Sequence, residues 1–191
     1  MNSMFSSTES FNQSIGNWDV SRVISMDFMF SSTNDFNQDL SSWNVSSLNS
    51  SASMFDGALT YNQPISGWDV SRITDMRWMF EEATAFNQDI GWWDVSRVTM
   101  MEKMFYQTSS FNQPLNDWDV SFVTSMEGLF EGTKDFNQDI GDWNVSSVKN
   151  MERMFYDAAS FNQSLSDWDV SKVTTMENMF PGAKAFNQDI G

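Results

Sequence analysis

Cysteine and histidine are both absent from the 191-residue chain. Their absence removes thiolate nucleophiles, disulfides, imidazole bases and zinc clusters together, because each of those chemistries needs one or both residues. It leaves the compartment open, since a cysteine-free chain suits a reducing cytosol and an exported protein equally. Basic residues are scarce, 10 against 26 acidic ones, for a formal net charge of −16. Such a surface repels phosphate backbones and anionic lipids, so neither nucleic acid nor a membrane surface is an expected partner. No apolar run reaches the about 18 residues that suggest a membrane span. The opening MNSMFSSTESFNQ has neither the basic nor the apolar region of a secretion signal.

What the chain does contain is repetition. Phe11-Asn12-Gln13 returns every 25 residues, at Phe36, Tyr61, Phe86, Phe111, Phe136, Phe161 and Phe186, without insertion. In the same register Trp stands at 18, 43, 68, 93, 118, 143 and 168, and Val at 20, 45, 70, 95, 120, 145 and 170. Met29-Phe30 is repeated at the same spacing through Met179-Phe180, with Leu129 standing in once for Met. Residues 1–191 therefore read as one domain of about 7.6 tandem units, cut mid-unit at both ends. A weaker period of 50 is superposed, because the residue after Asn-Gln is Asp in alternate units, at 39, 89, 139 and 189.

The unit from Phe111 to Asp135 falls into two halves. Leu115, Trp118 and Val120 have the L-x-x-L-x-L spacing of a short strand. Val123, Met126, Leu129 and Phe130 share one helical face, with Ser121 as the expected N-cap. Gly57, Gly132 and Gly182 share one later position, where a left-handed glycine would end that helix. The expected fold class is α/β: a right-handed, leucine-rich-repeat-like solenoid with a short parallel strand and a helix in each 25-residue coil. At parallel-strand spacing each coil would rise about 4.8 Å. The aromatic of Phe-Asn-Gln should enter the core, and its Asn should hydrogen-bond the backbone of the neighbouring coil. One unit alone buries too little apolar surface to offset the entropy of ordering it, so the units must stack.

The motif FNQxI-x-x-W-[DN]-V-S-x-V-T-x-M-x-x-MF resembles the BspA-like leucine-rich-repeat surface proteins over essentially the whole chain. That resemblance implies a cell-surface or extracellular solenoid without a cofactor, used in adhesion or partner contact. Two departures from the pattern are Leu129 and Ser51, both at Met positions.

Residues repeated in every unit are core candidates; functional candidates are those that break the rule. One strand position reads Asn17, Ser42, Gly67, Trp92, Asp117, Asp142, Asp167, and Phe122 interrupts a series containing Arg22, Arg72, Arg97 and Lys172. Trp92 and Phe122, with Asp94, Asp117 and Asp119 beside them, form the candidate partner-binding patch, because aromatic anchors dominate contact energies. The acidic series Asp19, Asp69, Asp94, Asp119 and Asp169 would stack like charges about 5 Å apart. It could attract calcium, which needs about six to eight oxygen ligands, but no dedicated calcium loop is present, and no metal or cofactor is assigned. Carboxylates repeated along an open face provide no unique acid–base pair, so no enzyme is expected. The expected function is a non-catalytic recognition or adhesion module for a protein or glycan partner. The alternative is a structural spacer that self-associates end to end.

Overall fold

In a computed structural model that describes residues 1–190, the chain winds into a stack of 25-residue coils built almost entirely from turns. The expected α/β architecture is not there. Among the described residues no helix forms, and the only β pairing is a column of isolated parallel bridges linking Ser25, Ser50, Asp75, Met100, Ser125, Asn150 and Thr175. Leu115, Trp118 and Val120 are buried and Asp119 between them is exposed, but these residues belong to no strand. Alternating burial is present without a sheet.

Hydrogen bonding explains why the segment from Val123 to Phe130 is not a helix. The N–H groups of Met126, Gly128, Phe130 and Gly132 donate to carbonyls of the next coil, at Asn150, Glu152, Met154 and Tyr156. Those of Leu129, Glu131 and Thr133 close i→i−3 turns within their own coil. Every second donor is thus committed along the stack, whereas an α-helix keeps its donors inside itself. The alternation requires two left-handed residues in each unit: Gly128 and Gly132 here, Lys103 and Gln107 one unit earlier, Arg153 and Asp157 one unit later, with φ between 52° and 69°. Gly57, Gly132 and Gly182 do take the expected left-handed conformation, yet they end no helix.

Coil spacing carries the same message. Equivalent Phe rings of the Met-Phe pairs lie 5.5–5.9 Å apart from Phe30 to Phe155, with interplanar angles of 12° or less. Packed helices need about 8–10 Å between axes, so helices directly stacked in successive coils would collide.

Three aromatic columns run through the stack. The Phe of Met-Phe and the aromatic of Phe-Asn-Gln stack within each coil, as in Phe105–Phe111 at 4.2 Å and Phe130–Phe136 at 4.0 Å. The Trp column lies beside them, with Trp118–Trp143 at 6.4 Å. Offset stacks of this kind contribute about 0.5–1.5 kcal/mol per pair beyond their buried area. Val, Leu, Ile and Met side chains complete one continuous core along the chain. Ser51, at a Met position, is fully buried and donates its hydroxyl to the Met79 sulfur.

Candidate functional site

The repeated polar residues are consumed by the architecture. Asp69, Asp94, Asp119 and Asp169 each accept the N–H of the Ser two residues on, at 3.0–3.1 Å, and Asn44 and Asn144 do the same. Ser121 therefore caps no helix: it is the donor in a turn closed by Asp119. The hydroxyl and then the N–H of Ser21 hold the Asp19 carboxyl below its ordinary range, and Asp69 and Asp169 are lowered in the same way by Ser71 and Ser171. Asp39, Asp89 and Asp139 close a second turn through the N–H of Ser41, Gly91 and Gly141. The period of 50 is thus an alternation between carboxylate-closed turns and turns that carry Pro or Ser at the same place.

Two ladders tie coil to coil. The Asn12 side-chain oxygen accepts the Asn37 N–H at 3.0 Å, and the same bond recurs at 2.8–3.0 Å up to Asn162, which accepts from Asn187. The Gln amide of the accepting coil's neighbour usually joins on the same oxygen, as Gln138 does on Asn112 at 2.8 Å. This is the expected bond from Asn to neighbouring backbone. Each buried Trp indole from Trp43 to Trp168 donates to the carbonyl 28 residues earlier, for example Trp118 to Ile90 at 3.1 Å. Each of these indole N–H groups and Asn side-chain oxygens is thereby satisfied internally.

Of the candidate patch, Trp92 is 79% exposed and Phe122 62% exposed. No ring contact joins them among the described residues. Asp94 and Asp119 are occupied in their turns, and Asp117 accepts a bond from the Asn116 amide. The five residues are therefore two exposed aromatic projections, two carboxylates that close turns and one that accepts from a neighbouring side chain. Among the described residues no three carboxylates converge into a metal-ligand set.

Sequence reasoning passed over a neighbouring feature. Arg72 and Arg97 line a recess of about 670 Å³ together with Ile24, Ser47, Asn49, Ser71 and Asp94. A second recess of about 280 Å³ shares Arg97 and is lined by Thr74, Ser96, Thr99 and Phe122. The signal lies in the same series, since Arg72 and Arg97 occupy the position that Phe122 fills one unit on from Arg97.

Acidic residues of successive coils also meet along the segment from position 25 to position 32 of the unit and its repeats. Glu81 is half-buried, and burial first, then the Asp56 carboxylate, pushes its pKa up to about 7. Asp75 pairs there with Arg77, Glu127 with Lys103 and Glu131 with Arg153, and Arg153 also lies over the Tyr156 ring.

The geometry defines a tandem-repeat stack whose repeated Asp, Asn and Trp polar groups hold the coils and whose exceptions Trp92 and Phe122 face outward. The chain belongs to the family described as Mycoplasma protein of unknown function, DUF285, whose profile matches residues 1–92, 53–123 and 74–191. That finding replaces the BspA-like leucine-rich-repeat resemblance, and the absence of a strand-and-helix unit agrees with the replacement. No curated protein and no solved structure matches the chain.

Proposed function

We propose that the protein is a non-catalytic recognition module that binds a protein or glycan partner through its outward exceptions. The observation that carries this reading is the exposure of Trp92, 79%, at a position where other units have Asn17, Ser42, Gly67 and Asp117. A Trp left in water presents a large apolar area that a partner can cover. The non-catalytic part is supported by the engagement of Asp19, Asp69, Asp94, Asp119 and Asp169 in turns, which leaves these carboxylates holding backbone. The cell-surface placement rested on the BspA-like resemblance, so it lends no support here. A protein and glycan array probed with the wild type and with Trp92→Ala tests the proposal; ligands lost on substitution are the expected result, and identical profiles refute a role for Trp92.

A second reading, end-to-end association of copies, is favoured by the way each coil covers the aromatic core of its neighbour, as Phe155 covers Phe130 at 5.9 Å, a contact that a second copy could extend. Light scattering of the 191-residue chain over a concentration series tests it, and a strictly constant monomer mass refutes it.

A further inference from the structure

Only 10 residues of this chain are cationic. Arg77, Lys103 and Arg153 are ion-paired. Arg72 and Arg97 are exposed and stand one coil apart. Among the described residues neither forms a hydrogen bond or an ion pair, although Asp69 is close enough to feel the charge of Arg72. Both guanidinium-bearing residues line the larger recess, and Arg97 also lines the smaller one. The two recesses share Arg97, and together they make a grooved strip along the stack. It runs from Ile24, 63% exposed, to Phe122, 62% exposed. Four unit steps separate those positions, so at about 4.8 Å per parallel-bridged step the strip is about 19 Å long.

Its chemistry is a mixture of charge, hydroxyl and apolar groups. Ser47, Asn49 and Ser71 line the larger recess, and Thr74, Ser96 and Thr99 the smaller. The one carboxylate in the wall, Asp94, is held by the Ser96 N–H. The backbone of the groove floor is already spent: the N–H groups of Asn49, Thr74 and Thr99 donate to the carbonyls of Ile24, Asn49 and Thr74, and the Thr74 and Thr99 hydroxyls add to the same carbonyls. An extended peptide therefore finds no free main-chain edge to pair with. Whatever lies here must be read by side chains.

Deepening the recognition reading on which it rests, we infer that this groove binds an extended acidic glycan, a polysaccharide with carboxylated sugars. Arg72 and Arg97 take successive carboxylates in the planar, bidentate manner of guanidinium. Ser and Asn side chains meet ring hydroxyls, and Phe122 and Ile24 cover the apolar faces of sugar rings at the two ends. Against the net charge of −16, the polyanion is held by these local cations, so binding weakens with salt.

Isothermal titration of the full chain with polygalacturonate, neutral dextran and poly-L-glutamate tests the inference. Polygalacturonate is expected to bind, dextran to give no heat, and poly-L-glutamate to bind at least about tenfold more weakly. Arg72→Ala with Arg97→Ala should cost polygalacturonate about tenfold or more in affinity, and Phe122→Ala a smaller factor, with unchanged melting temperatures because all three side chains are exposed. Equal binding of dextran, equal or tighter binding of poly-L-glutamate, no binding of polygalacturonate, or full affinity in the double Arg variant each overturns the inference. If an array then shows other ligands that depend on Trp92, the recognition reading survives that failure; if the array is blank, both fail.

Discussion

Tyr61 is the one phenol in a column otherwise made of Phe11, Phe36, Phe86, Phe111, Phe136, Phe161 and Phe186. Its ring stacks 4.2 Å from Phe55 and 5.9 Å from Phe36. The gap to Phe86 is 6.4 Å, while the later gaps in the column are 6.0–6.1 Å. Among the described residues the buried hydroxyl has no hydrogen-bond partner, and burial pushes the phenol well above its ordinary pKa. Tyr61→Phe deletes this orphan oxygen and restores the column. Relief of an unsatisfied buried hydroxyl contributes about 1–3 kcal/mol, and the small void left behind offsets less than about 1 kcal/mol. The expected net gain is about 1–2 kcal/mol, or roughly 2–8 °C in Tm for a chain of this length. Urea unfolding followed by Trp fluorescence measures it, with an unchanged m-value as the check that only stability has moved. Unchanged or reduced stability refutes the reasoning, because the hydroxyl would then have a partner that its removal takes away.

Other perturbations separate coil-to-coil bonds from local effects. Asn112→Ala removes the acceptor for the Asn137 N–H and the Gln138 amide and should cost about 1–3 kcal/mol; Asn187→Ala, whose side chain accepts no such bond among the described residues, should cost much less in the same urea titration, and equal losses refute the ladder. Gly132→Ala places a methyl at φ 69°, with its Cβ 3.0 Å from the Gln107 side chain, and should lower stability by about 1–2 kcal/mol. Gly67→Ala, with open space around it, should not, and similar losses for the two by thermal denaturation count against the left-handed requirement. Glu81, pushed up from 4.5 to about 7 in the folded chain, binds its proton more tightly folded than unfolded. Its contribution is therefore complete below about pH 4.5 and is lost as pH rises through about 7. Linkage sets a ceiling of about 3 kcal/mol, which screening at this half-exposed carboxyl reduces to about 1 kcal/mol. Glu81→Gln should flatten the stability profile between pH 5 and 8, and a variant with the wild-type slope refutes the assignment.

Much of the molecule is legible before any coordinates. Period, register and the buried set follow from Trp118, Val120, Met126 and Phe130 recurring without insertion, since a side chain repeated in every coil is stacked on its own copies. The Asn bond was legible too, because an amide repeated beside a core aromatic has the next coil within reach. The helix was misread for a definite reason. Val123, Met126, Leu129 and Phe130 fit one helical face, but the same spacing fits a turn series with left-handed residues at Gly128 and Gly132. Propensity does not separate the two, since Lys103, Arg153 and Trp78 are left-handed at the equivalent position. The candidate site was legible only as exceptions. Trp92 and Phe122 stood out by type, whereas the Arg72 and Arg97 groove depends on cations in successive coils lining one recess, which no single unit displays.

By itself, then, the sequence determined that 25-residue units stack, which side chains form the core, and that Trp92 and Phe122 face outward, because periodic burial needs only the repeat. The tertiary structure alone decided what each coil is made of. Every second N–H between Met126 and Gly132 is claimed by the next coil, and with equivalent Phe rings of successive coils only 5.5–5.9 Å apart there is room for turns and for no helix.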